Sequence, residues 1–194
     1  FAHTSLGGGN DVSFIDVPGH VRFLRNMLAG VGGVDACMFV IAATEGWKPQ
    51  SEEHLRILQL LGLRHGIVAL TKIDLVADDW RELQELDIRD HLAGTFLADA
   101  PIVAVSATIG TGLDDLRAAL AELVSTTPPA NDRERPRLWI DRVFAAKGSG
   151  TVVTGTLTDG TISVDDQLHA GVHPVRVRGI QSHGERRDTI GPGN

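Results

Sequence analysis

Ile67-Val68-Ala69-Leu70-Thr71-Lys72-Ile73-Asp74 runs four apolar residues directly into a threonine, a lysine and an aspartate. Such a run reads as a strand buried on both faces, with its polar chemistry gathered at the C-terminal end. Three other short runs are similar: Val12–Ile15, Ala36–Ala42 and Ile102–Val105. Between the runs the apolar spacing lengthens to that of a helix over His20–Ala29, Pro49–Leu61, Asp79–Phe96 and Leu113–Val124. Leucines three or four apart, at Leu55, Leu58 and Leu61 and again at Leu113, Leu116, Leu120 and Leu123, mark one buried face on two of these helices. Pro49 suits a first helical turn, where its missing N–H costs nothing. Alternating strand and helix predict an α/β fold with a mostly parallel, doubly wound sheet. Phe1–Leu6, followed by three glycines and Asn10, reads as an antiparallel edge strand turning back into Val12–Ile15.

The pattern changes across Ser125–Asp132, a polar stretch with two adjacent prolines that reads as a linker. Beyond Pro136 only strand-like runs follow, Leu138–Ala145, Thr151–Leu157, Gln167–Ala170 and Val175–Ile180, with Asp159-Gly160 as a hairpin signal. The expected organisation is a first domain over residues 1–127, a linker over 128–137 and a partial small β-barrel over 138–194. No internal repeat interrupts this order. At 42% hydrophobic and 22% charged residues, the composition excludes the disordered, collagenous and membrane classes. No stretch approaches the roughly 18 apolar residues of a membrane span, and the start does not read as a signal peptide. Cys37 is the single cysteine and lies in an apolar run, which rules out an internal disulfide and suits a reducing cytosol. Residues 1–132 carry 9 basic against 18 acidic side chains and residues 133–194 carry 9 against 7. A nucleic-acid contact therefore belongs more readily to the second part, although ordinary solvated charges fit the same numbers.

In open α/β sheets ligands bind beyond the C-terminal ends of the strands, and three of the loops there are polar. After Ile15 comes Asp16-Val17-Pro18-Gly19-His20. A carboxylate at a strand end can hold Mg²⁺ through a water, and a glycine three residues on lets a backbone N–H approach a terminal phosphate. Taken alone, Asp-x-x-Gly equally fits any strand-to-helix turn. After Leu70, Asp74 can accept the N1–H and exocyclic amine of guanine together, a donor pair adenine does not offer, while the Lys72 stem lies over the base. A capped turn before a helix would read the same way. After Val105 comes Ser106-Ala107-Thr108, where a backbone N–H near Ala107 can meet the guanine carbonyl; two small residues carry information only in company.

The three loops in this order resemble the nucleotide-binding domain of the translational GTPases. Lys147–Thr156, Asp159-Gly160 and Ile162–Asp166 resemble the start of the second, β-barrel domain of Tu-type elongation factors. Within that superfamily, Phe14–His20, Asn26–Asp35, Glu53–Leu58, Ala69–Lys72 and Ile140–Phe144 resemble the bacterial selenocysteine-specific elongation factors. The resemblance covers essentially the whole chain. It implies a P-loop GTPase-like fold followed by a partial translation-factor barrel, with GTP or GDP and Mg²⁺ as ligands. It assigns nucleotide binding to Asp16, Gly19, Thr71, Lys72, Asp74, Ser106 and Ala107, with Asp16 reaching Mg²⁺ through water, and assigns His20 to position and polarise the water that attacks the γ-phosphate. Thr71 departs from the superfamily's asparagine and loses one amide contact to the base or a neighbouring loop.

The same resemblance implies selenocysteinyl-tRNA and the ribosome as partners, in the cytoplasm. A selenocysteine insertion hairpin in messenger RNA would be met through domains absent here. Asp141 and Arg142 would help form the aminoacyl pocket, and a cation there is reasonable because a selenolate is anionic at neutral pH where serine and cysteine are mostly neutral. An ordinary strand ion pair is the other reading of these two residues. Arg176, Arg178, Arg186 and Arg187 fit tRNA phosphates or a solvated face. Nowhere do the 194 residues contain Gly-x-x-x-x-Gly-Lys-[Ser/Thr], and the first-switch threonine is missing too. The sequence therefore reads as a fragment lacking its first strand, phosphate loop and first switch, expected to bind GTP weakly or not at all by itself. A general Tu-type factor carrying other aminoacyl-tRNAs, and a non-enzymatic RNA-binding module, are the alternative functions.

Overall fold

The computed structural model describes residues 2–6, 11–16, 34–130, 132–148 and 150–193. The described residues divide between Pro128 and Pro129 into two units. In the first, β1 (Ala2–Ser5) and β2 (Asp11–Phe14) pair antiparallel, with Ala2 opposite Phe14. Strands β3 (Cys37–Ala42), β4 (Gly66–Thr71) and β5 (Ile102–Ala104) form a parallel sheet in that order. The helices are α1 (Pro49–Leu60), α2 (Asp78–Leu92) and α3 (Leu113–Thr126). The helix expected over His20–Ala29 lies outside the described residues.

The central strand β4 buries Ile67, Val68, Ala69 and Leu70 in succession, as its unbroken apolarity predicts for a strand covered on both faces. The edge strand β3 behaves differently: Phe39 and Ile41 are buried while Val40 is 55% exposed. An apolar run does not distinguish one covered face from two, so the expectation fails for β3. The β1–β2 hairpin also departs from expectation, forming a sheet of its own among the described residues rather than an edge of the parallel sheet. Local turn signals specify a hairpin, but no local signal specifies the neighbour and register by which it would join a larger sheet.

Pro49 opens α1 as predicted, and the Lys48 N–H donates to Ser51 Oγ at 3.3 Å. Leu55 and Leu58 are buried, whereas Leu61 falls just past the helix and is 42% exposed. Helix α2 stops at Leu92 instead of continuing to Phe96. Gly94 takes a left-handed φ of +74°, and the Thr95 N–H and hydroxyl both donate to the Leu92 carbonyl, at 3.0 and 2.7 Å, closing the helix end. Ile88, Leu92 and Leu97 are fully buried with Leu55, Ile67 and Leu70. Burying each such side chain contributes about 1.5–3 kcal/mol.

Among its described residues the second unit contains strands and no helix. The long strands β6 (Arg137–Ala146) and β7 (Gly150–Thr158) pair antiparallel, with Arg137 opposite Thr158 and Ala146 opposite Gly150. Then follow β8 (Ile162–Ser163), β9 (Gln167–Ala170), β10 (His173–Arg176), β11 (Ile180–Ser182), β12 (Glu185–Arg187) and β13 (Thr189–Ile190). They pair antiparallel as β9 with β10, β11 with β12 and β8 with β13. Asp159-Gly160 therefore turns the chain without joining paired strands, contrary to the hairpin expectation. The Asp159 carbonyl accepts the N–H groups of Arg133 and Arg135, at 3.0 and 2.8 Å, and a Cβ on Gly160 would lie 2.4 Å from the Pro136 nitrogen. This turn seats the segment entering β6. The single strand expected over Val175–Ile180 is broken at Val177, whose N–H donates to Asp166 and whose carbonyl accepts from Asp165.

Candidate functional site

The loops after β4 and β5 leave adjacent ends of the parallel sheet. Beyond the last ladder pair, the Val105 N–H donates to the Leu70 carbonyl at 2.8 Å and the Ile73 N–H to the Val105 carbonyl at 3.4 Å. Thr71, Lys72 and Asp74 are thus brought beside Ser106 and Ala107. Lys72 adopts a left-handed backbone, φ 59° and ψ 33°, and begins a 3₁₀ turn over Ile73–Leu75. For a residue with a Cβ that conformation costs about 1–2 kcal/mol, and it persists only where the surroundings fix it. Asp74 is exposed, and no hydrogen bond or ion pair is made by its carboxylate among the described residues. An ionised carboxylate presents acceptors only, so its chemistry fits the two donors on the guanine edge.

Ser106 is fully buried. Its N–H donates to the Thr111 carbonyl at 2.9 Å, its carbonyl accepts from Gly110 at 2.9 Å, and its hydroxyl accepts the Ile109 N–H at 3.4 Å. Those bonds turn the loop back on itself and leave Ala107 exposed. The Thr71 hydroxyl donates to the Ile41 carbonyl at 3.2 Å, so the residue standing where the superfamily has asparagine ties the end of β4 to β3.

The strand-end rule applies equally to β3, and there it finds a residue the three-loop reading passes over. The Ala43 N–H donates to the Thr71 carbonyl at 2.8 Å, and the N–H groups of Glu45 and Gly46 both donate to the Ala42 carbonyl at 2.9 Å. One oxygen of Glu45 meets Lys48 Nζ at 2.5 Å and the other meets Lys72 Nζ at 3.8 Å. The Lys48 hydrogen bond, with the charges of Lys48 and Lys72, holds the Glu45 carboxyl below its ordinary value. Helix α2 braces this loop: the Trp80 indole N–H donates to the Ala43 carbonyl at 3.1 Å, and Trp47 stacks on His91 with centroids 4.6 Å apart. Gly46 is left-handed, and a Cβ there would lie 2.1 Å from Gln84 Oε1. A carboxylate followed by glycine at a strand end was the available signal.

Asp16 lies two residues past the end of β2 and is exposed; no hydrogen bond or ion pair joins it to these loops among the described residues. Gly19 and His20 lie outside the described residues. No group of three or more His, Cys, Asp or Glu forms a metal site among the described residues. A lone carboxylate such as Asp16 suits Mg²⁺, which keeps several waters and usually takes one or two carboxylates together with phosphate oxygens.

In the second unit, the ladder places Ile140 opposite Gly155 and Arg142 opposite Thr154, so Asp141 is the extra residue of a β-bulge. Bulges re-aim side chains. Arg142 is 75% exposed and its Nε lies 3.3 Å from Asp141 Oδ2. Gly155 makes this close pairing possible, since a Cβ there would lie 1.9 Å from the Trp139 carbonyl oxygen. Of the four other arginines singled out, Arg176 pairs with Asp165 and Arg187 with Glu185, both at 2.8 Å. Arg178 and Arg186 make no ion pair among the described residues.

Residues 2–126 match the family described as the elongation factor Tu GTP binding domain. A selenocysteine-specific elongation factor from Desulfomicrobium baculatum is 48% identical over 95% of this chain and 29% of its own length. The crystal structure of a bacterial selenocysteine-specific elongation factor superposes with a TM-score of 0.85 at 32% identity, over 91% of this chain and 30% of that one. Translation elongation factor SelB from Methanococcus maripaludis, solved with the GTP analogue GppNHp, gives 0.84 at 30% identity over 92% of this chain and 40% of that one. The chain therefore spans about a third of the length of these relatives. Its architecture is that of a translational GTPase, a mostly parallel α/β sheet followed by part of a small barrel. On the match over residues 2–126 and the fold that carries it, this chain belongs to the family of the elongation factor Tu GTP binding domain.

Proposed function

We propose that this chain is the GTP-binding domain, linker and partial second domain, residues 1–127, 128–137 and 138–194, of a cytoplasmic elongation factor. The factor delivers selenocysteinyl-tRNA to the ribosome with GTP hydrolysis. The observation that carries the nucleotide reading is the tie between two adjacent strand-end loops, which sets the exposed carboxylate of Asp74 and the left-handed Lys72 beside Ser106 and Ala107. In this reading Asp74 accepts from guanine N1–H and the exocyclic amine, Lys72 covers the base, and the N–H near Ala107 meets the guanine carbonyl. Thr71 holds the loop to β3. Asp16 reaches Mg²⁺ through a water, and the ion, when bound, offsets phosphate charge. Gly19 offers a backbone N–H to the terminal phosphate, and His20 orients the attacking water.

The selenocysteine part of the reading is supported by the relatives that match 91–95% of the chain and by the bulge that presents Asp141 and Arg142. A selenocysteine insertion hairpin in messenger RNA would be met by parts of the factor beyond this sequence. In the complete protein a fluorescent GDP is expected to be displaced by GDP and GTP but not by ADP at a hundredfold excess. Equal displacement by ADP would overturn the assignment of Asp74.

A further inference from the structure

The carboxylate of Glu45 stands between two lysines on two different loops. Lys48 holds one oxygen at 2.5 Å, and the other oxygen lies 3.8 Å from Lys72 Nζ. The Glu45 loop is itself fixed, through Ala43 to the Thr71 carbonyl, through Trp80 to the Ala43 carbonyl, and through Gly46 seated against Gln84. Lys72 has a fixed left-handed backbone, but its half-exposed side chain has no other ion pair among the described residues. We infer that Glu45 is a positioning residue of the guanine site, holding the Lys72 ammonium so that the aliphatic stem is already extended where the base must lie. The inference rests on the reading of Thr71–Asp74 as a guanine loop.

The reason is preorganisation. A long flexible stem that must be ordered when the base arrives weakens binding, and an anchor that orders it beforehand removes that cost. Glu45 touches no nucleotide in this account and acts only through Lys72. Because the ammonium is the group it holds, its effect falls on affinity and release rate. The choice of guanine over adenine belongs to Asp74 and is untouched.

The test measures GDP release from the complete protein for the wild type, Glu45→Gln, Lys48→Met, Lys72→Met and the double variant Glu45→Gln/Lys72→Met. Glu45→Gln is expected to speed release roughly 2- to 5-fold, the size of a well-placed exposed ion pair, with the GDP-over-ADP preference unchanged. Lys48→Met, which leaves the Lys72 pair intact, is expected to stay near wild type. In the Lys72→Met background the Glu45 change is expected to add nothing. Three results would each overturn the inference: release within about 1.5-fold of wild type for Glu45→Gln, an equal effect from Lys48→Met, or the full Glu45 effect persisting without Lys72. A wild type that binds no guanine nucleotide would instead sink the reading of the loop, a different outcome from a wild type that binds GDP and a silent Glu45→Gln.

Discussion

Asp74→Asn in the complete protein is expected to weaken GDP binding by roughly 10²- to 10³-fold and to improve binding of xanthosine diphosphate. Guanine presents two donors side by side, and an ionised carboxylate answers both. Hydrogen bonds to a charged group are worth about 1.5–3 kcal/mol each, and a factor of ten corresponds to about 1.4 kcal/mol. The asparagine amide keeps one acceptor but turns a donor toward the guanine amine, so one bond is lost and a donor faces a donor. Xanthine carries a carbonyl where guanine carries that amine and therefore pairs with the amide correctly. The side chain is exposed and makes no bond among the described residues, so its replacement should leave the fold alone, which a thermal melt checks. Unchanged GDP affinity would show that Asp74 does not read the base.

His20→Ala is expected to lower GTP hydrolysis on the ribosome by about 10²- to 10⁴-fold, the usual contribution of a positioned acid–base side chain. Nucleotide affinity should stay within about twofold of wild type, because such a residue contributes positioning rather than binding. His20 follows Asp16-Val17-Pro18-Gly19 in the sequence, and a neutral imidazole carries one ring nitrogen able to accept a hydrogen bond from water. Single-turnover hydrolysis and equilibrium binding separate the two effects. A parallel fall in both would make His20 a structural residue of the turn.

Several elements were legible in the sequence because their signals are local. The apolar run Ile67–Leu70 marked a strand, which as the central one is buried on both faces, and Pro49 marked the start of α1 to the residue. The end of α2 was missed because apolar periodicity running on toward Phe96 outweighed a local stop signal, the left-handed Gly94 with the Thr95 bonds back to Leu92. Asp159-Gly160 was a true turn assigned to the wrong pair of strands. Its role depends on Arg133, Arg135 and Pro136, which lie more than twenty residues earlier. The residues proposed for the guanine loop drew their signal from type and order together. The bulge beneath Asp141 and Arg142 was not, since it depends on Gly155 in the opposing strand. Glu45 was hidden for a similar reason, as its partner Lys72 belongs to a different loop.

In the proposed function the complete factor selects selenocysteinyl-tRNA. The most direct test compares, in the GTP form, the dissociation constants for selenocysteinyl-tRNA and for the same tRNA carrying serine, so that only the side chain differs. A selenolate facing the exposed guanidinium of Arg142 gains a charge-assisted contact that a serine hydroxyl does not. A preference of roughly tenfold or more for the selenocysteinyl form is expected, equivalent to at least about 1.4 kcal/mol, and Arg142→Ala is expected to reduce it. Equal affinity for the two tRNAs would contradict the account and return the chain to the general Tu-type reading.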